Sequence, residues 1–138
     1  MERPFTLLGL DHLVLRVANL DVSRAFYEGV LGCKLEREIP SLGLYQFRAG
    51  RQLIDLVVIG SKLGGPMPVN LGRRNQDHFC IEITPFVATH IKEYLSMSDV
   101  PIGEMGSRYG AMGLGPSIYI EDPDGNTVEL KGPPEQAN

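Results

Sequence analysis

The sequence lacks the features that mark nucleic-acid-binding and membrane-spanning proteins. It has 13 Lys and Arg residues against 17 Asp and Glu residues, a formal net charge of −4 at pH 7. We do not expect nucleic acid as a partner, because binding to phosphates needs clustered positive charge. No run approaches the roughly 18 consecutive apolar residues of a membrane span. A membrane partner is therefore not expected either.

Cysteine is scarce as well. Only Cys33 and Cys80 are present, and the start "MERPFTLLGL" lacks the long apolar core of a signal peptide. We therefore expect a cytoplasmic protein whose two thiols are reduced. The 138 residues have the length of one ordinary domain, which can bury a core without disulfides or a structural metal.

Periodicity in the first half predicts β-α-β-β-β. The stretch "DHLVLRV" alternates as a strand does, and a helix follows that we expect Asp21 to cap and Gly32 to end. Three extended stretches come next: "CKLEREI", "LYQFRA" and "QLIDLVVI". A connection rich in Gly and Pro then covers residues 61–76.

The second half repeats this order. It opens with the strand "DHFCIEI", continues with a helix expected to start at Thr84-Pro85, and ends in the hairpin "SIYIEDPDGNTVELKG". Residues 106–115 are rich in glycine and predict a loop able to close over a site. We therefore expect an α+β fold: a single domain of two βαβββ modules, about 8–60 and 77–132.

Each half places a His on its first strand and an acid on its last. His78 lies 66 positions after His12, and Glu129 lies 74 positions after Asp55. All four alternate with the apolar residues of their strands, so they share the polar faces. Singly, each residue is more often hydrogen-bonded structure or a solvated side chain. Their recurrence at matched positions predicts a divalent-metal site, where an ion would compensate a buried Glu.

Three stretches resemble the vicinal-oxygen-chelate superfamily, which includes glyoxalase I, fosfomycin-resistance thiol transferases, extradiol dioxygenases and bleomycin-resistance proteins. They are "LDHLVLRVANLDVSRAFYEGVLG", "DHFCIEI" and "SIYIEDPDGNTVEL". The resemblance implies an open eight-stranded cup around one divalent ion of Ni, Co, Zn, Mn or Fe, in a homodimer. Its metal positions fall on His12, Asp55, His78 and Glu129. Asp55 stands where the glyoxalase I pattern has the longer Glu.

The resemblance also implies a function. We expect a metal-dependent lyase or isomerase of the glyoxalase type, acting on a small substrate chelated through adjacent oxygens, such as a glutathione hemithioacetal. Glu129 is the first choice as catalytic base and Asp55 the second. Tyr119 and Arg108 are candidate substrate-binding residues; a packed strand tyrosine and a loop arginine without that role are the alternatives.

Other activities on the same fold stay open. Without Asp55 as a ligand, the remaining three candidates resemble the site of a thiol transferase or an extradiol dioxygenase. A metal-free, small-molecule-binding resistance protein is the third alternative, and the retained ligands argue against it. Outside this set, Cys80 lies on the His78 face, two residues along; we expect a small buried core residue, and a position at the edge of the site is the alternative. We expect His90 to lie on the surface of a helix.

Overall fold

The computed structural model describes residues 3, 6, 8, 10–68, 70, 72 and 76–135. The chain divides into two compact units, Met1–Val69 and Asn70–Asn138, and the strands form two four-stranded sheets. Positions 69, 71 and 73–75 of the predicted connection lie outside the described residues. No helix within the described part of the chain is long and apolar enough to cross a membrane.

The first unit contains the sheet with strand order β1-β4-β3-β2. Its first and last strands run parallel, and the other neighbours are antiparallel. Its elements are β1 (His12–Val17), α1 (Leu20–Arg24), a π-helical segment (Ala25–Val30), β2 (Lys34–Ile39), a 3₁₀ turn (Pro40–Leu42), β3 (Leu44–Ala49) and β4 (Gln52–Val58).

The second unit contains the sheet with strand order β5-β8-β7-β6. It repeats the pairing of the first sheet, with β5 parallel to β8 and the other neighbours antiparallel. Its elements are β5 (His78–Glu82), α2 (Ala88–Met97), β6 (Ile102–Gly110), β7 (Gly113–Glu121) and β8 (Thr127–Lys131). The α+β class and the β-α-β-β-β order of both halves are confirmed, whereas the shared eight-stranded cup stays a prediction.

The apolar faces of the strands are buried, as alternation predicts. In the first unit Leu15, Val17, Ile54 and Leu56 are at most 5 % exposed, and the helical side contributes the fully buried ring of Tyr27. In the second unit the corresponding buried side chains are Ile118, Ile120, Val128, Leu130 and Leu95 of α2. Each such burial contributes roughly 1.5–3 kcal/mol relative to exposure. Because the apolar residues occupy one face of each sheet, the polar residues lie on the opposite face.

The two helix starts differ from the predictions. The first helix is capped by Asn19 and not by Asp21: the backbone of Asn19 is extended, so its side chain accepts from the Val22 N–H at 3.1 Å. Asp21 instead lies within the first turn, where a negative charge suits the helix dipole. The second helix begins only at Ala88, because the backbone remains extended through Val87.

The glycine-rich stretch 106–115 is not a loop. It forms most of the β6–β7 hairpin, with only Ala111 and Met112 between the strands. Glycine is needed here for close packing: a Cβ on Gly115 would lie 2.7 Å from the carbonyl oxygen of Pro133. At Gly113 the backbone has φ +113°, which L side chains rarely adopt. The prediction of a closing loop was wrong because these glycines serve the hairpin.

Gly64 packs against the end of β4, and an added methyl group there should destabilise the fold. A Cβ at this position would lie 1.8 Å from the carbonyl oxygen of Val58. The backbone is also held in place, because Arg16 Nε donates to Gly64 O at 2.7 Å and Ser61 Oγ accepts from Gly64 N–H. We expect Gly64→Ala to cost about 1–3 kcal/mol in the free energy of unfolding, the range for overpacking.

Gly29→Ala is the matched control for this measurement. An added Cβ at Gly29 meets nothing within 4 Å, and the residue is helical. Alanine should therefore leave stability unchanged or raise it by up to about 1 kcal/mol. Urea denaturation followed by circular dichroism measures both variants, and equal midpoints for the two would contradict the packing described for Gly64.

Candidate functional site

The strand register places the predicted His and acid side by side in each unit. Asp55 pairs with Val14, two residues after His12, and Glu129 pairs with Cys80, two residues after His78. Since alternate residues share a face, each acid lies next to its own His on the polar face. The two units therefore contain equivalent His-acid pairs. The strand register thus supports what the repeat in the sequence suggested.

In the second unit the pair is in direct contact. His78 Nε2 lies 3.2 Å from Glu129 Oε2, and the Glu129 side chain is only 8 % exposed. The other ring nitrogen, Nδ1, is 2.6 Å from Asp77 Oδ2. Glu129 thus does not face water, and its carboxylate is in contact with the His78 imidazole.

In the first unit the acid is held through its other neighbour. Gln46 Nε2 donates to Asp55 Oδ2 at 2.9 Å, while Gln46 Oε1 accepts from Arg37 at 3.2 Å. Asp55 is 4 % exposed, and its second oxygen, Oδ1, has no hydrogen-bond partner among the residues that the structure describes. A buried acceptor left without a partner costs roughly 1–3 kcal/mol. Nothing among the described residues satisfies this oxygen, so a cation or a hydrogen-bond donor would remove that cost.

His12 repeats the arrangement of His78. Its Nδ1 lies 2.6 Å from Asp11 Oδ1. That hydrogen bond is the main reason why the pKa of His12 is raised above its ordinary value; the Asp55 charge adds to the effect, and desolvation opposes it. With Nδ1 held by a carboxylate, Nε2 is the ring nitrogen left to bind a metal or a substrate.

The donor set fits a divalent metal ion. It consists of imidazole nitrogens and carboxylate oxygens, and the unpartnered Asp55 Oδ1 is the kind of atom that a cation would satisfy. Within either unit, the residues described contain no group of three His, Cys, Asp or Glu side chains able to hold an ion. Each unit thus contributes one His-acid pair, and the joint four-residue site stays a prediction.

The two predicted substrate-binding residues lie against the His-acid pair of the second unit. The Tyr119 ring meets the His78 ring edge-on, with centroids 5.3 Å apart, and Arg108 Cζ lies 4.7 Å from the centre of the Tyr119 ring. His78, Glu129, Tyr119 and Arg108 therefore form one connected set, here called the unit 2 cluster. Their roles in substrate binding and catalysis stay predictions.

Sequence reasoning missed the residues that orient this chemistry. Asp11 and Asp77 each hold the Nδ1 atom of the following His, and their signal was visible as the repeated dipeptide "DH". Gln46, which holds Asp55, gave no such signal, because its role depends on strand pairing. His90 lies exposed on α2, as expected.

Cys80 is exposed, so the prediction of a buried core residue was wrong. It lies on the polar face because it alternates with the apolar residues of β5 and pairs with Glu129. Desolvation, followed by the Glu129 carboxylate, raises the pKa of its thiol to about 11. Cys33 is buried, and neither cysteine is in a disulfide in this structure; reduced thiols stay an expectation.

The chain is similar in sequence to one protein superfamily and to a curated protein of Salmonella typhimurium. Residues 9–130 match the sequence profile of the Glyoxalase/Bleomycin resistance protein/Dioxygenase superfamily. A virulence protein of Salmonella typhimurium is 31 % identical over 129 residues, covering 88 % of this chain and 81 % of that protein.

Two solved structures show the same fold. An integron cassette protein from V. cholerae is 31 % identical with a TM-score of 0.71, covering 93 % of this chain and 97 % of that one. Lactoylglutathione lyase from Agrobacterium tumefaciens is 26 % identical with a TM-score of 0.67, covering 92 % and 95 % of the two chains. All four matches extend over both units.

Labelling of Cys80 should report the charge of Glu129. Because the pKa of the thiol is raised to about 11, little thiolate exists at neutral pH and alkylation should be slow although the residue is exposed. Glu129→Gln removes a negative charge next to the sulfur, so the rate with iodoacetamide should increase. Both proteins carry Cys33→Ala so that one thiol is followed by mass spectrometry. Equal rates would show that Glu129 does not act on Cys80.

The pH titration of His12 should depend on Asp11. Its pKa in the folded protein is raised above 6.5, so the protonated pair stabilises the fold below that pH. The contribution is lost as the pH rises through the raised value. We expect Asp11→Asn to lower the pKa of His12 in NMR titration of the metal-free protein. Asp21→Asn, in the first turn of α1, is the control, and an unchanged His12 titration in Asp11→Asn would contradict the assignment.

Proposed function

Because the chain belongs to the Glyoxalase/Bleomycin resistance protein/Dioxygenase superfamily, we propose that it is a metal-dependent lyase or isomerase of the glyoxalase type. Its substrate would be a small molecule bound through two adjacent oxygens, such as a glutathione hemithioacetal. The observation that carries the proposal is the repeated His-acid pair, which includes a buried Asp55 oxygen without a hydrogen-bond partner among the described residues.

The residues proposed to hold the ion are His12, Asp55, His78 and Glu129. Nitrogen and oxygen donors are compatible with Ni, Co, Zn, Mn or Fe. When bound, the ion would polarise the adjacent oxygens of the substrate and stabilise negative charge that develops on them. Asp11 and Asp77 support this role, because each hydrogen-bonds Nδ1 and so leaves Nε2 as the ring nitrogen that would hold the ion.

Glu129 is the proposed proton carrier. Its buried carboxylate would take a proton from one substrate carbon at Oε2 and return it to the neighbouring carbon, which is the step that a hemithioacetal isomerisation needs. Asp55 is the second candidate. Its Oδ2 is engaged by Gln46, and the one remaining oxygen, Oδ1, cannot hold the ion and accept a proton at once, which places Asp55 second to Glu129.

Cys80 does not compete for this role at neutral pH. A thiol with a pKa of about 11 remains protonated there, and a protonated thiol is a poor nucleophile. The chemistry of the polar face in the second unit is therefore carried by a carboxylate and an imidazole. This supports a proton-transfer reaction, as does the similarity to a lactoylglutathione lyase.

A cytoplasmic homodimer is part of the same proposal.

The proposal is tested by identifying the metal and restoring it. Elemental analysis of the purified protein identifies the ion, which is then removed with a chelator and replaced by Ni, Co, Zn, Mn or Fe. The reloaded protein is assayed with the hemithioacetal of glutathione and an α-oxoaldehyde. We expect activity with at least one ion and none in the metal-free protein; a protein that binds none of these ions would overturn the proposal.

A series at Asp55 tests whether the acid is a ligand. Asp55→Ala should weaken metal binding by about tenfold or more and abolish proton transfer, whereas Asp55→Glu should keep or improve both, because it restores the longer acid of the glyoxalase I pattern. Calorimetry measures the affinity, and Glu38→Ala on β2 is the control for an exposed acid. Equal affinities in all proteins would favour a three-ligand site and a transferase or dioxygenase instead.

A further inference from the structure

The geometry points to an oxyanion subsite at Arg108. We propose that the substrate carries a carboxylate or phosphoryl group, separate from its two chelating oxygens, and that the Arg108 guanidinium binds it. This rests on the proposed function, because the His-acid pairs are taken to fix the chelating end of the substrate. The proposal adds a substrate class: small molecules with adjacent oxygens at one end and an oxyanion at the other.

The position of Arg108 is built into the sheet. Its side chain lies across β6 at Gly106, where an added Cβ would be 2.9 Å from Nη1. It then reaches the Tyr119 ring at 4.7 Å, within the range of a cation–π contact. Glycine at 106 thus provides the space that lets the guanidinium lie toward the unit 2 cluster.

The guanidinium retains most of its hydrogen-bonding capacity. It has five N–H donors, and its two described hydrogen bonds are long: 3.3 Å from Nη1 to Ser117 Oγ and 3.4 Å from Nη2 to Glu104 Oε2. Glu104 is 86 % exposed while Arg108 is 28 % exposed, so the ion pair lies at the surface and contributes little. A substrate oxyanion would therefore displace the weakly bound Glu104 carboxylate. It could accept two parallel hydrogen bonds from the Arg108 guanidinium.

Lys131, a second cation on this polar face, is already engaged. It is 5 % exposed, and its Nζ donates to the Gly113 carbonyl oxygen at 2.9 Å. Its ammonium therefore stabilises the β6–β7 hairpin. Arg108 is the better placed of the two to meet a ligand beside His78.

The contacts also limit the length of the substrate. Arg108 Cζ is 4.7 Å from the Tyr119 ring centre, which is 5.3 Å from the His78 ring centre, so the guanidinium carbon lies at most 10.0 Å from the imidazole. A substrate that reaches from beside His78 to Arg108 therefore need not span more than this distance. A few bonds between the oxyanion and the chelating oxygens are enough, which favours compact hydroxy or oxo acids with a second anionic group.

The test uses three ligands with the same chelating head. Glycerate, malate and 3-phosphoglycerate each carry an α-hydroxy acid, with a neutral, a carboxylate and a phosphate tail respectively. Each is titrated into the Co²⁺-loaded protein by calorimetry, while the visible spectrum of the ion reports binding of the head. We expect at least one anionic ligand to bind about tenfold tighter than glycerate, the size of one charge-assisted hydrogen bond. The larger gain in affinity over glycerate, with malate or with 3-phosphoglycerate, shows whether the substrate carries a carboxylate or a phosphoryl group.

Variants assign the preference to Arg108. Arg108→Gln should abolish the tail preference and leave glycerate affinity unchanged, whereas Glu104→Gln should increase the preference several-fold by removing the competing carboxylate. Arg24→Gln is the matched control, since Arg24 also pairs with a carboxylate four residues away, Glu28, and lies 6.0 Å from an aromatic ring. It should retain the wild-type preference.

The outcomes separate this inference from the proposed function. Binding of none of the five ions, or Co²⁺ binding with no spectral change on addition of any ligand, would overturn the metal-dependent function. A spectral change with equal affinity for all three ligands would overturn only the Arg108 subsite. An equal loss of affinity for all three ligands in Arg108→Gln would make Arg108 a structural residue, and this too would overturn the subsite.

Discussion

The parallel pairing of the first and last strand in each unit is the constraint on which the candidate site depends. It brings residues far apart in sequence to neighbouring positions, and because alternate residues share a face, it sets the acid next to the His. The apolar residues that alternate with the acids on β4 and β8 turn to the other side and are buried. The packing that stabilises each sheet therefore also holds the polar pair in place.

The same pair is supported differently in the two units. Position 46 and position 119 are equivalent, since they pair with Asp55 and Glu129 respectively. Gln46 donates to its acid, whereas Tyr119 packs its ring against the neighbouring imidazole. At this position the first unit therefore holds the carboxylate by a hydrogen bond, whereas the second packs an aromatic ring against the imidazole. Duplicated sheets can diverge in this way while their donor atoms keep matched positions.

Much of the fold could be predicted from the sequence, because alternation and repetition are local signals. The faces of β1, β4, β5 and β8 follow from the side-chain period of two, and the β-α-β-β-β order follows from the elements between them. The β6–β7 hairpin could not be recognised this way. Its glycines reflect close approach of Lys131 and of the backbone after β8, which are contacts that only the folded chain reveals.

The four candidate metal-binding residues could be predicted from the sequence, but the residues that hydrogen-bond to them could not. His12, Asp55, His78 and Glu129 could be selected because they recur, whereas the hydrogen bond from Gln46 depends on which strand lies beside β4. The exposure of Cys80 was missed as well. Alternation already placed Cys80 on the His78 face, and its small apolar side chain suggested burial there, but the residue is exposed beside Glu129.

The shared strand register also determines where insertions and deletions can be accepted during evolution. His12 and Asp55 are separated by 43 positions, and His78 and Glu129 by 51, yet the register between their strands is the same. The difference in length is therefore absorbed between these strands. A single residue gained or lost within β1, β4, β5 or β8 would exchange the polar and apolar faces of everything beyond it. Length variation among relatives should accordingly concentrate in the turns and in the segments that contain the helices.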